Sequence, residues 1–159
     1  MSQIAAGPAA RAAVSLRSDT AQSGAEWVTV FADVPLFRNL SRRHLKRIAS
    51  LARMRRYGPG TSIVRAGDAG TAFFVLIDGT ARVIPPKGRA RRLGTGDFFG
   101  EMALLDDSPR SANVVADGEV LVMTIGRSAF GKLLKSEPAL AYELLRALAA
   151  RLRAAEKTV

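Results

Sequence analysis

The spacing of apolar residues changes twice along this chain, and each change marks a different kind of element. A dense apolar group (Trp27, Val28, Val30, Phe31 and Val34) opens the structured part near Glu26. It halts at Pro35, because the residue before a proline is kept out of helical angles. Ser41 then suits an N-cap, its hydroxyl placed to accept an orphan backbone N–H. Leu45, Ile48, Ala49 and Leu51 follow at helical spacing, with Arg42, Arg43, Lys46, Arg47 and Arg53 largely on other faces. This predicts an amphipathic helix from Ser41 to about Met54. From Tyr57 the period shortens. Turn signals (Gly58-Pro59-Gly60, Gly67-Asp68-Ala69-Gly70, Asp78-Gly79 and Gly94-Thr95-Gly96-Asp97) separate strand-like runs at 61–65, 72–77, 80–84, 91–93, 114–116 and 120–125. After Ile125 the period lengthens again. Ser128, Phe130, Leu133 and Leu134 predict a short helix. Pro138 can open the next one, where its missing N–H would be unpaired anyway. Leu140, Leu144, Leu145, Leu148 and Leu152 form its apolar stripe.

The expected fold is therefore α+β and mainly β: an antiparallel β-roll or jelly-roll over about 57–125, flanked by an N-terminal helix and by two C-terminal helices over about 127–157. The folded domain spans 26–159, with no internal repeat and no second domain. Residues 1–25 are small and polar without a sustained period, and predict a flexible tail with at most a short amphipathic segment around 9–16.

Composition narrows the function classes. The 159 residues suit one domain with a reasonable core. Cysteine is absent, which excludes disulfides and thiolate metal sites. No N-terminal apolar run resembles a signal peptide, and no apolar stretch reaches a membrane span, so a cytoplasmic setting is expected. The formal charge of +10 could serve nucleic acid, an anionic membrane or an acidic partner. Abundant Arg and Ala fit an ordinary solvated basic surface better, and DNA binding is not expected. His44 is the only histidine, so a metal enzyme on such a roll lacks its ligands and no metal is expected. Gly94-Thr95-Gly96 is not followed by the Lys–Ser/Thr helix of a phosphate loop. Asp106 and Asp107 read as turn residues before Pro109. No nucleophile and base are placed together, and the chain is not expected to be an enzyme.

The segment from Gly96 to Val114 carries the chemistry. Gly100, lacking Cβ, admits close approach to its backbone. The short helical run from Glu101 to Leu105 leaves its first N–H groups without helical partners. Arg110 offers a guanidinium that matches a phosphate, and Ser111 can add a hydroxyl donor. Glu101 would repel a phosphate, but an ionised carboxylate accepts from a sugar hydroxyl. Together these groups describe a site for a ribose phosphate.

Phe99-Gly100-Glu101-Met102-Ala103-Leu104-Leu105 followed by Pro109-Arg110-Ser111-Ala112 resembles the phosphate-binding cassette of cyclic-nucleotide-binding domains. That family includes the bacterial catabolite activator protein, the regulatory subunits of cAMP-dependent protein kinase and cyclic-nucleotide-gated channels. Pro35-Leu36-Phe37 and the glycine turns extend the likeness from about Val34 to Arg153. The resemblance implies that Glu101 holds the ribose 2′-hydroxyl and Arg110 the cyclic phosphate. Backbone N–H groups near Gly100 and Ala103 and around Ser111 would complete the cradle. It places Val83 and Leu93 against the base, and Arg151 and Leu152 where some members cap it. It implies a regulatory sensor, with cAMP the preferred ligand and cGMP possible, since Ser111 does not settle base choice. The last helix would answer to ligand and signal to a protein effector the sequence does not identify. The alternatives are an interaction module with a non-binding pocket and a DNA-binding regulator using the basic surface. The chain is expected to be either a stand-alone sensor or one domain of a larger chain, and Met1 with the tail mildly favours a complete small protein.

Overall fold

The computed structural model describes residues 24–157. Helix α1 (Gly24–Ala32) and a 3-10 turn (Pro35–Phe37) lead into α2 (Arg42–Leu51). Eight strands follow: β1 (Arg53–Tyr57), β2 (Ser62–Val64), β3 (Ala72–Asp78), β4 (Ala81–Ile84), β5 (Arg91–Leu93), β6 (Phe98–Phe99), β7 (Asn113–Ala116) and β8 (Val120–Gly126). The short helix α3 (Glu101–Leu105) lies between β6 and β7, and α4 (Arg127–Ser136) and α5 (Pro138–Lys157) close the chain.

The strands form two antiparallel four-stranded sheets, ordered β1-β8-β3-β6 and β2-β7-β4-β5. The alternation of side chains along a strand explains the burial. In β3, Phe74 and Leu76 face the second sheet, while Phe73, Val75 and Ile77 face the helices. In β8, Val120 and Val122 point one way, and Leu121, Met123 and Ile125 the other. Both strands are covered on both faces, so their sequences are almost wholly apolar. The core between the sheets is completed by Val64, Ala81, Leu93, Phe99, Val114 and Ala116. The helical layer contributes Phe31, Phe37, Ile48, Phe130, Leu133, Leu140 and Leu144, with Phe73 stacked on Phe130 at 4.5 Å between ring centres.

Several boundaries differ from the sequence expectation. The Ser41 helix ends at Leu51 rather than near Met54, and residues 53–57 form a strand that pairs with β8 along its whole length. The roll thus runs from Arg53 to Gly126. Ser41 does cap α2, accepting from the His44 backbone N–H. The first helix begins at Gly24, inside the stretch expected as tail, and the segment expected around 9–16 lies outside the described residues. In α5, Leu140 and Leu144 are buried and Leu148 packs partly against the core, but Leu145 and Leu152 face solvent.

Candidate functional site

Between the second sheet, the β6–α3 corner and α5 lies a cleft open to solvent. Val64, Val83, Arg91, Phe99, Gly100, Glu101, Met102, Ala103, Arg110, Ser111, Ala112, Val114 and Arg151 line it.

Local backbone geometry builds its polar wall. Gly100 sits at the N-cap of α3 with φ +88°, a left-handed conformation that a side chain resists. A Cβ there would lie 2.8 Å from Nη1 of Arg110 and 3.2 Å from the Ala72 carbonyl. The chain therefore turns sharply into α3, and Glu101 points inward, only 3% exposed. The loop after α3 is pinned on several sides. The Asp106 carboxylate accepts from the Ser108 N–H at 3.0 Å. Asp107, with φ 58°, pairs with Arg127, which also donates to the Gly70 carbonyl. The Arg110 N–H donates to Asp68 at 2.7 Å, and the Gly67 N–H returns a bond to the Arg110 carbonyl at 2.9 Å.

Arg110 is 7% exposed. Its Nη1 donates to the Gly100 carbonyl and its Nη2 to the Ala72 carbonyl, both at 2.7 Å. Two of five N–H donors thus hold the guanidinium against the cavity wall, beside the Phe74 ring at 5.6 Å. Burial pushes its pKa below the usual guanidinium value, and the Glu101 charge opposes that shift. An anion in the cavity would oppose it further.

A second, partly buried cation arrives from α5. Nη1 of Arg151 donates to Oε1 of Glu101 at 2.7 Å, and its Nη2 donates to the Phe98 carbonyl at 2.6 Å. Its guanidinium carbon lies 4.0 Å from the centre of the Phe98 ring. Burial again lowers the pKa and Glu101 opposes it; Arg91 adds to the lowering, and Asp97 opposes it. The carboxylate that a sugar hydroxyl would approach is therefore already tied to the last helix.

The structure brings Phe99, Gly100, Glu101, Met102, Ala103, Arg110, Ser111 and Ala112 onto one cavity, with Val83 and Arg151. It does not bring Leu93 or Leu152 there. Leu93 is 1% exposed and packs between the sheets, opposite Ala81. Leu152 is 62% exposed, because one residue on from Arg151 the helix has turned by about 100°, away from the cleft. Sequence reasoning passed over Val64, Arg91 and Val114. The signal for Arg91 was its place two residues before inward-facing Leu93, on the same face of β5. No group of histidine or carboxylate ligands that could hold a metal occurs among the described residues. No helix there is long and apolar enough to cross a membrane.

Comparison with known proteins agrees with this geometry. A family model described as the cyclic nucleotide-binding domain matches residues 54–137. The cAMP-dependent protein kinase regulatory subunit of Colletotrichum orbiculare is 39% identical over 104 residues, which take in 64% of this chain and 27% of that protein. This chain thus spans about a quarter of that relative's length. Among solved structures, the Thermus thermophilus catabolite activator protein is 33% identical with a TM-score of 0.69, over 78% of this chain and 61% of that one. The regulatory domain of Toxoplasma gondii PKA with cAMP is 25% identical with a TM-score of 0.71, over 80% and 50%.

Proposed function

The chain belongs to the cyclic nucleotide-binding domain family, and on that premise we propose that it is a regulatory sensor whose ligand is cAMP. The observation that carries this reading is the convergence of Arg110, Glu101, Gly100 and Ser111 on one cleft. Arg110 meets the cyclic phosphate with donors that point away from its two carbonyl partners, and Ser111 adds a hydroxyl. Glu101 accepts from the ribose 2′-hydroxyl; a carboxylate has lone pairs to spare beyond the one given to Arg151. Val83, Val64 and Val114 offer the base an apolar wall. The solved relative that holds cAMP supports the choice of ligand.

The output runs through α5. Arg151 joins that helix to the carboxylate that grips the sugar, so ligand and helix share one buried group. A nucleotide that favours the docked position of α5 shifts the population toward it by its differential affinity. The effector that reads α5 is a protein, and the setting is cytoplasmic. The domain is read as a binding module, a reading supported by its likeness to regulatory subunits. The rival readings find less support. The cleft is polar where a phosphate is expected, not filled by packed side chains. His44 and Arg47 of the basic helix are engaged with buried Glu137 rather than free for DNA.

Calorimetric titration of cAMP tests this. The wild-type chain is expected to bind with one-to-one stoichiometry. Arg110→Ala is expected to weaken binding about 100-fold or more, the scale of a buried charge-assisted contact left unmade. Glu101→Ala is expected to weaken it about tenfold or more. Failure of the wild-type chain to bind would refute the reading.

A further inference from the structure

Glu137 is the residue that joins α4 to α5, and its carboxylate is buried. Its Oε2 lies 3.0 Å from Nε2 of His44, and its Oε1 lies 3.1 Å from Nη1 of Arg47. Both partners stand on α2, three residues apart and so on one side of that helix. Nη1 of Arg47 also donates to the Ser136 hydroxyl at 2.7 Å, and that hydroxyl donates to the Lys132 carbonyl in the last turn of α4. Further along α5, Oε1 of Glu143 accepts from Nδ2 of Asn39, on the loop before α2, at 2.8 Å. The segment from Asn39 to Arg47 thus clasps the α4–α5 joint in the same conformation in which Arg151 meets Glu101 in the cleft.

The charge of this clasp is not fixed. Arg47 is always a cation, whereas an imidazole gains or loses its charge between about pH 5 and pH 8. Neutral His44 offers Glu137 one N–H; protonated His44 offers the same N–H and a second positive charge. The other charged side chains on the packed elements are Arg43 and Lys46 on α2, Lys132 and Lys135 on α4, and Glu143 and Arg146 on α5. Among the described residues none of them pairs with Glu137 or His44, and side chains of these types keep their charge near neutral pH. His44 is the only histidine of the chain.

We infer that His44 is a positioning residue for nucleotide binding, whose protonation tightens the clasp, favours the docked α5 and so strengthens cAMP binding at a cleft His44 does not touch. This inference rests on the function proposed above. The sign follows from reciprocity. If the docked state holds the proton on His44 more firmly, cAMP, which favours that state, draws a proton in as it binds. Affinity is then highest below the imidazole's range and falls as pH rises through it. His44 is partly exposed, so the effect is that of a half-screened ion pair, about two- to threefold in Kd.

The test is calorimetry of the full chain with cAMP from pH 5.5 to 8.0 at constant ionic strength, in buffers of different ionisation heat so that proton uptake is counted. The wild-type Kd should rise about two- to threefold across that range, with a fraction of a proton taken up on binding near pH 6.5. His44→Gln keeps a neutral donor and should hold the high-pH affinity throughout, with no proton uptake near pH 6.5. Glu137→Gln removes the charge that His44 meets and should flatten the profile as well. A wild-type Kd that does not change with pH, or a slope that survives in either variant, would overturn the inference while leaving the sensor reading intact. Absence of wild-type binding at every pH would overturn the sensor reading, and this one with it.

Discussion

The contact between Arg151 and Glu101 makes a strong quantitative prediction. Glu101 is nearly sealed from water and Arg151 is about one-quarter exposed, with 2.7 Å between Nη1 and Oε1. A hydrogen bond to a charged group in such a place contributes about 1.5–3 kcal/mol. Arg151→Ala also removes the bond to the Phe98 carbonyl and the contact with its ring, the latter about 0.5–2 kcal/mol. It leaves a buried carboxylate without its cation. The expected loss of stability is about 3 kcal/mol, which for a chain of this size lowers Tm by about 6–12 °C. Glu101→Ala is expected to cost about 2 kcal/mol, because Arg151 keeps the Phe98 carbonyl and some solvent. In the double variant the shared term is lost once, so the two effects fall short of additivity by about 1.5–2 kcal/mol. Urea unfolding of the four proteins without nucleotide measures that coupling. A coupling within about 0.5 kcal/mol of zero would show that α5 is not held by this pair, and the proposed route from ligand to helix would lose its basis.

Other expectations follow from neighbouring contacts. Arg110→Lys keeps a positive charge but cannot serve the Gly100 and Ala72 carbonyls together; stability without nucleotide should fall by about 1–2 kcal/mol in urea, and an unchanged midpoint would refute the strut role. Gly100→Ala forces a side chain into left-handed backbone against Arg110; a loss of about 2 kcal/mol or more is expected by thermal unfolding, and a neutral result would refute the geometry of that corner. Glu137, buried at the α4–α5 junction, is held by His44 and Arg47, which are both partly exposed; Glu137→Gln should cost about 1 kcal/mol, and no change in stability would assign the junction to packing alone. Saturating cAMP at about 100 times its Kd should add about 2.7 kcal/mol and raise Tm by about 5–11 °C. It should also slow amide exchange in α5, and equal exchange rates with and without nucleotide would refute the helix response.

The cassette was legible in the sequence because it is local. Gly100, Glu101, Arg110 and Ser111 lie within a dozen residues, and their chemical types point to a ribose phosphate before any fold is known. The turn glycines likewise marked most strands, since φ > 0 at Gly79 and Gly96 is a property of one residue. Two strands escaped detection for opposite reasons. Residues 53–57 are mostly basic and resemble the end of α2, and only pairing with β8 makes them a strand. Phe98 and Phe99 form a two-residue strand too short to show a period.

Distance along the chain separates what sequence determined from what tertiary structure decided. The residue types, the turn positions and the amphipathic character of α2 and α5 were carried by near neighbours, whose interactions depend on spacing of a few residues. Which leucines of α5 are buried depended on where that helix docks: the same run of apolar residues supplies Leu144 to the core and leaves Leu145 and Leu152 in solvent. Leu93 and Arg91 share one face of β5, yet only the approach of Ala81 sends the first into the core and leaves the second on the cleft. Arg151 meets Glu101 across 50 residues. No local pattern encodes that meeting, because it arises from where α5 docks beside the β6–α3 corner.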